Sequence, residues 1–251
     1  MAGLGGGLAA ERPFRAPHHT ISPQGLIGGG STPRPGEVTL AHRGVLFLDE
    51  LAEFARPALD ALRQPLEEGK VEIMRGQRTI EFPARAMVAA ATNPCPCGRP
   101  PDDCTCDAVL LGRYARRLSG PLLDRIDLSC RLGPVALLEL VGERDHAGSS
   151  RGVRRRVLAA RERQTARLAG TGALCNGDMD GRLTRRTVRL DRRLRARFAA
   201  LPDIAPLSGR GHHRVLRVAR TIADLDGRER VSESDLDEAL AYRVGATAAA
   251  A

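Results

Sequence analysis

Apolar positions follow two different rhythms along this chain. Up to about residue 133 short continuous or alternating runs are interspersed with helical spacing; from residue 153 onward apolar positions recur at three- and four-residue intervals throughout. Val45-Leu46-Phe47-Leu48 and Ala86-Met87-Val88-Ala89-Ala90-Ala91 are continuous apolar runs, as buried parallel strands would be. Leu128 to Leu132 predicts a third strand. Phe54 to Glu68 predicts a helix with Leu59, Leu62 and Leu66 on one face and Pro57 in its first turn. Val71–Met74 and Thr79–Phe82 alternate and flank Arg75-Gly76-Gln77-Arg78, which predicts a hairpin. A helix is expected from about Ala108 to Leu118.

In the second half, Val153, Val157, Ala160 and Leu168 share one helix face. Leu190, Leu194, Phe198 and Leu201 share another, and Val215, Ala219, Ile222 and Leu225 a third. Ser232-x-x-Asp235 resembles a capping box for a last helix ending near Arg243. The pattern predicts an α/β part, a parallel sheet with flanking helices, followed by an all-helical part. Four segments follow: an irregular Gly/Pro-rich lead at 1–36, an α/β core at 37–135, a linker at 136–152 and a helical domain at 153–251.

Composition narrows the function classes. Hydrophobic residues make up 42% and charged residues 27% of 251, as in a soluble globular protein. No apolar run reaches the length of a membrane span, and the N-terminus lacks the regions of a signal peptide. The expected compartment is cytoplasmic, where six cysteines stay reduced. Lys and Arg outnumber Asp and Glu by 39 to 30, a net of +9, and nearly all of the excess lies beyond residue 150. Lys70 is the single lysine, and it sits outside any G-x-x-x-x-G-K-[ST], so the chain contains no phosphate-cradling P-loop. With no Trp and 3% aromatics, base stacking on aromatic platforms is a poor candidate mode of nucleic-acid binding.

Four constellations carry candidate chemistry. Val45–Leu48 runs into Asp49 and Glu50, two carboxylates at the end of a predicted strand, the sheet edge where α/β folds bind ligands. Such an Asp can hold Mg²⁺ and the next acid can activate water; acids are also common where a strand enters a loop. Asn93 follows the second strand, where its amide could meet a phosphate or the water; Asn93-Pro94 also suits a turn. Arg125, between Asp124 and Asp127, could be an arginine finger or a local salt bridge. Arg210, Arg214 and Arg217 lie on one helical face, with Arg220 beyond, a stripe that could meet phosphate or be a solvated basic surface. Cys95-x-Cys97 and Cys104-x-Cys106 crowd four thiols into one loop; four thiolates suit tetrahedral zinc, and free thiols are the alternative.

In order and spacing these blocks resemble the magnesium-chelatase-like AAA+ ATPases of the ComM/YifB type. The resemblance is carried by Arg12-Pro13-Phe14-Arg15-Ala16-Pro17-His18-His19-Thr20, by Leu40–Leu51 and by Asn93-Pro94-Cys95-Pro96-Cys97-Gly98. Leu118–Leu128 and Leu216–Leu225 extend it, so that it covers about residues 11 to 243. It implies an AAA+ core with a β-hairpin insert and a helical lid. It implies Asp49 for Mg²⁺, Glu50 as catalytic base, Asn93 as sensor 1 and Arg125 as an arginine finger acting in trans in a hexameric ring. Arg210 matches the sensor 2 arginine, with Arg214 as the lesser candidate. The hairpin matches an insert that in this superclass often faces the ring's pore. His18 and His19 belong to the family pattern and could touch DNA or a neighbouring subunit, or simply pack.

The implied activity is ATP hydrolysis driving DNA remodelling by branch migration, in recombination or transformation. Relatives carry an N-terminal domain and a P-loop ahead of the Arg-Pro-Phe-Arg block, so this chain is expected to be inactive alone. The alternatives are a magnesium chelatase motor subunit, and a non-enzymatic zinc-stabilised DNA- or protein-binding module that joins a ring of full-length subunits.

Overall fold

The computed structural model describes residues 11–75, 78–99, 103–118, 120–133, 149–200 and 209–247. The chain divides into two compact units, the first reaching Arg125 and the second starting at Ile126. Most of the 136–152 stretch read as a linker lies outside the described residues, as do residues 1–10 of the lead segment, Leu201 and Ser208.

The first unit is built on a parallel sheet of β1 (Phe14–Arg15), β4 (Val45–Leu48) and β7 (Met87–Ala90), with β4 in the middle. Phe14 pairs with Val45, and Leu48 with Ala90. Residues 11–36 hold more order than their Gly/Pro content predicts. Besides β1 they form α1 (Pro23–Ile27) and a small antiparallel ribbon of β2 (Gly28–Gly29) and β3 (Arg34–Pro35). The Ser22 hydroxyl caps α1 by accepting from the Gly25 N–H at 3.0 Å. Each element is too short to show a periodicity; β1 is defined by the strand beside it.

Only one face of the sheet is covered among the described residues. Leu46 and Leu48 are buried in a core with Leu26, Val38, Leu59 and Leu62, supplied in part by α1, α2 (Glu37–Leu40) and α3 (Arg56–Ala61). On the other face Phe14 and Met87 stay 63% and 64% exposed, and Phe14 stacks on Phe47 at 6.3 Å. The continuous apolar run of β4 therefore serves a strand buried on one side, where two-sided burial was expected.

β4 begins at a close backbone approach. The Val45 N–H donates to the Pro13 carbonyl at 2.8 Å, and a Cβ on Gly44 would stand 1.9 Å from that same oxygen. Gly44→Ala is therefore expected to force β1 away from β4 and to cost about 1–3 kcal/mol. Thermal unfolding of the variant beside the wild type checks this.

The helix predicted at 54–68 is broken. It forms α3 and α4 (Arg63–Glu68), with Leu62 between them. Pro65 has no N–H to donate to Ala61 and its ring crowds that carbonyl, so the ladder is interrupted there. The hairpin of β5 (Lys70–Arg75) and β6 (Arg78–Pro83) forms where alternation places it. Its tip, residues 76–77, lies outside the described residues. Glu72 and Glu81 face each other directly across the pair, a repulsive arrangement. Lys70 resolves it, its Nζ lying 2.7 Å from both carboxylates. Val71 anchors the base of the hairpin in the core, whereas Met74 is 77% exposed. α5 (Ala108–Ala115) and α6 (Gly120–Leu123) complete the unit.

The second unit is helical: α7 (Ser150–Leu168), α8 (Gly181–Thr187), α9 (Arg192–Ala199), α10 (Gly209–Leu225) and α11 (Glu233–Thr247). Side chains of Ser149, Asp180 and Asp191 cap three of these by accepting from Gly152, Leu183 and Leu194 N–H groups. The box ahead of α11 is reciprocal: the Ser232 N–H donates to Asp235 Oδ2 at 2.8 Å and the Asp235 N–H to the Ser232 hydroxyl at 3.3 Å. Val215, Leu216, Ala219 and Ala223 of α10 line the core. On α7, Ala160 and Leu168 are buried, but Val153 and Val157 are exposed, so the predicted face is buried only in its C-terminal half. Leu128 to Leu132 is not a strand: the segment forms no ladder, and the Ser129 N–H donates to the Tyr242 carbonyl at 3.0 Å.

A buried polar network ties α7 to α10. Asp224, 0% exposed, accepts from Arg167 Nη1 at 2.8 Å and from Asn176 Nδ2 at 2.9 Å, and lies 3.1 Å from Arg220 Nη2. No described helix is long and apolar enough to cross a membrane.

Candidate functional site

Because β1, β4 and β7 run parallel, their C-terminal ends open on one edge. β1 leads to His18 and His19, β4 to Asp49 and Glu50, and β7 to Thr92 and Asn93. Backbone bonds lock the last two together: the Ala91 N–H donates to the Leu48 carbonyl at 3.0 Å, and the Leu51 N–H to the Ala91 carbonyl at 2.8 Å. Asp49, Glu50 and Asn93 are all exposed at this edge. Asp49 Oδ1 accepts from the Glu50 N–H at 2.9 Å. Glu50 itself is left-handed, with φ 51° and ψ 47°. A non-glycine residue in that region is strained, and such strain concentrates at functional sites.

The histidine pair joins this edge, a placement that sequence reasoning left open. His19 Nδ1 lies 3.0 Å from Glu50 Oε2. The His18 and His19 rings lie tilted against each other with centroids 4.1 Å apart, and His19 meets Phe54 edge-to-face at 6.4 Å. His18 Nδ1 lies 3.0 Å from the Thr20 hydroxyl, which fixes its ring in the turn. Arg117 is a second residue that sequence reasoning missed. Its Nη1 donates to the Ala52 carbonyl at 3.1 Å and to Glu53 at 2.8 Å, pinning the turn that follows Glu50.

Arg125 ends the first unit. Its Nη1 donates to the Pro121 carbonyl at 2.6 Å and its Nη2 pairs with Glu67, 58 residues away in sequence. In the second unit, Arg210 is exposed in the first turn of α10. Arg214 lies 3.2 Å from Asp127. The rest of the proposed basic stripe turns inward. Arg217 donates to the Gly177 and Met179 carbonyls at 2.8 and 3.2 Å, and Arg220 is buried beside Asp224, where desolvation lowers its pKa.

The four loop cysteines converge. Their sulfurs all lie within 4.8 Å of one another, and Cys95–Cys97, Cys95–Cys104 and Cys97–Cys104 are separated by 3.2, 3.7 and 3.8 Å. Four sulfurs around zinc at about 2.3 Å stand about 3.8 Å apart, so the donor set fits that ion in type, number and spacing. A backbone N–H from Arg99, with a Cys95 contact, lowers the Cys97 thiol to about 6. The Cys106 thiol accepts a backbone bond from Cys97, which lowers its pKa, yet burial and the Cys97 and Cys104 sulfurs push it up to about 12. Asp107 fixes the loop's exit by capping α5, its Oδ1 accepting from the Leu110 N–H at 2.7 Å.

Comparison with known proteins bears on both units. The family described as magnesium chelatase, subunit ChlI, matches residues 3–139, and its C-terminal counterpart matches residues 147–243. Competence protein ComM of Haemophilus influenzae is 44% identical over 241 residues, which is 93% of this chain and 45% of that protein. YifB of Escherichia coli is 43% identical over 241 residues, 93% of this chain and 46% of its own length. The chain thus spans about half the length of these relatives.

Proposed function

The chain belongs to the magnesium chelatase ChlI family, and on that basis we propose that it is the part of a ComM/YifB-type AAA+ subunit that activates water for ATP hydrolysis and passes the energy to DNA. The convergence of Asp49, Glu50 and Asn93 on one edge of a parallel sheet carries this reading. Asp49 holds Mg²⁺, which would neutralise charge on the phosphoryl oxygens. Glu50 takes a proton from the attacking water. Asn93 contacts the γ-phosphate or that water by its amide. Arg125 neutralises transition-state charge on a neighbouring subunit's nucleotide in a hexameric ring, and Arg210, or failing it Arg214, does so from the lid. Zn²⁺ sits on Cys95, Cys97, Cys104 and Cys106. The compartment is cytoplasmic.

The phosphate-cradling lysine comes from another segment, since Lys70 is committed to Glu72 and Glu81 on the hairpin. That commitment also favours the non-enzymatic reading for the chain by itself: a zinc-stabilised, basic module that joins a ring of complete subunits. The chain alone is expected to hydrolyse no ATP.

The DNA step, with branch migration as its outcome, is supported by the likeness to a competence protein and by the arginine excess beyond residue 150. Its test is binding of the purified chain to a labelled four-way junction at rising salt. Log K is expected to fall linearly with log[salt], by about 0.9 per phosphate contacted. A flat response, or no binding at low salt, removes DNA from the reading.

A further inference from the structure

We infer that the four-cysteine loop is a zinc-closed clamp on Asn93. The inference rests on the proposed zinc site and on Asn93 as the polar arm at the end of β7. It adds a mechanical link between them.

The chain is firmly held up to Ala91 by its two backbone bonds, one with Leu48 of β4 and one with Leu51 just beyond it. Thr92, Asn93 and Pro94 are then exposed, and Cys95 plunges to 3% exposure. A tight turn follows, closed by the Gly98 N–H donating to the Cys95 carbonyl at 3.2 Å, with Gly98 at φ +65°. This turn folds back onto the arm. A Cβ on Gly98 would stand 3.5 Å from Asn93 Nδ2 and 3.9 Å from its Cγ. The Asn93 amide, exposed elsewhere, thus has the turn that presents Cys95 and Cys97 against one side of it.

Besides that backbone hydrogen bond, the turn is closed by N–H groups that reach its sulfurs, Gly98 to Cys95 and Arg99 to Cys97. Across the loop, the Cys97 N–H reaches the Cys106 sulfur and the Thr105 N–H the Cys97 sulfur, and Cys104 and Cys106 return from the far side to meet the first pair. A metal bound by all four sulfurs joins the two sides and removes the loop's freedom to open. Cys95 and Cys97 then hold Gly98 against Asn93. The cysteines act here as positioning residues: they reach no reacting atom and set the orientation of a side chain that does. Occupancy of the metal site therefore determines whether Asn93 has one orientation or many.

The test uses the whole chain, ¹⁵N-labelled and purified without chelator. Zinc is measured by elemental analysis, with one ion per chain expected and its loss on chelation. The side-chain amide resonances of Asn93 are identified by their disappearance in Asn93→Asp. With zinc they are expected at a single position, and on chelation they shift by more than their linewidth towards that of a solvent-exposed amide. Those of Asn176, buried in the helical unit, stay in place. Gly98→Ala, with zinc retained, is expected to displace the Asn93 resonances as well, because the added methyl sits against the amide and the residue must leave φ +65°. This second variant decides the matter if chelation also moves Asn176. Asn93 resonances that ignore both zinc and Gly98→Ala overturn the clamp while leaving the metal site standing. A chain that binds no zinc overturns the metal site, and the elemental analysis alone shows which of the two has failed.

Discussion

Asp224→Ala is expected to destabilise the helical unit by about 3–5 kcal/mol, the usual result of removing one partner from a buried charge cluster. Two guanidiniums converge on that carboxylate. Arg167 reaches it from α7 and Arg220 from one turn back on α10, while Asn176 adds a hydrogen bond from its amide. Without Asp224 the two cations lose the carboxylate between them, and the Asn176 amide loses an acceptor. A loss of that size is a large fraction of the roughly 5–15 kcal/mol that separates folded from unfolded domains. The measurement is a denaturant titration followed by circular dichroism, where the midpoint should fall sharply. Asp224→Asn retains a hydrogen-bond acceptor but no charge and should lie between the two. An Asp224→Ala midpoint equal to wild type would show that the network contributes nothing, and that the packing of α10 alone holds the unit.

Glu50→Gln is expected to lower ATP turnover by about 10²–10⁴-fold in rings where another segment supplies the phosphate-cradling lysine, the range a general base contributes. KM should change little, since the glutamine keeps the shape of the side chain and only its capacity to take a proton is lost. The strained backbone at Glu50 and its contact with His19 make the prediction specific to this position. Glu53, three residues on, is engaged by Arg117 and should tolerate the same exchange with far less effect on turnover. His19→Ala should lower kcat by less than Glu50→Gln does, as expected of a residue that steadies the base without touching the water. Turnover unchanged in Glu50→Gln would remove Glu50 from the chemistry.

The parts of this site that could be read in advance are those whose signal is local. A run of four apolar residues ended by two acids identifies β4 and its carboxylates from a single window. The alternation on both sides of Arg75-Gly76-Gln77-Arg78 does the same for the hairpin, and Ser232-x-x-Asp235 for the start of α11. What stayed hidden depends on pairings distant in sequence. β1 is two residues long, and it exists because Gly44 lets Pro13 approach the start of β4. That pairing then carries His19 to Glu50, 31 residues away, a proximity no periodicity encodes. The arginine stripe of α10 misled for a related reason. Its spacing describes one helical face, but whether that face meets solvent or core is decided by Asp224, Gly177 and Met179. Leu128 to Leu132 has the composition of a strand and no strand to pair with, so its backbone bonds to Tyr242 instead.

The bridge that Lys70 makes between Glu72 and Glu81 also singles out one nitrogen for chemistry at the bench. Lys70 carries the only lysine ε-amine in the sequence, and it lies at the foot of the hairpin. A lysine-directed label can therefore modify one side chain in this chain, with no engineered cysteine needed beside the six already present. Its two carboxylate partners hold the ammonium form, raising its pKa, so coupling calls for more alkaline buffer than an ordinary surface lysine. A photo-crosslinker placed there would record which molecule the hairpin meets.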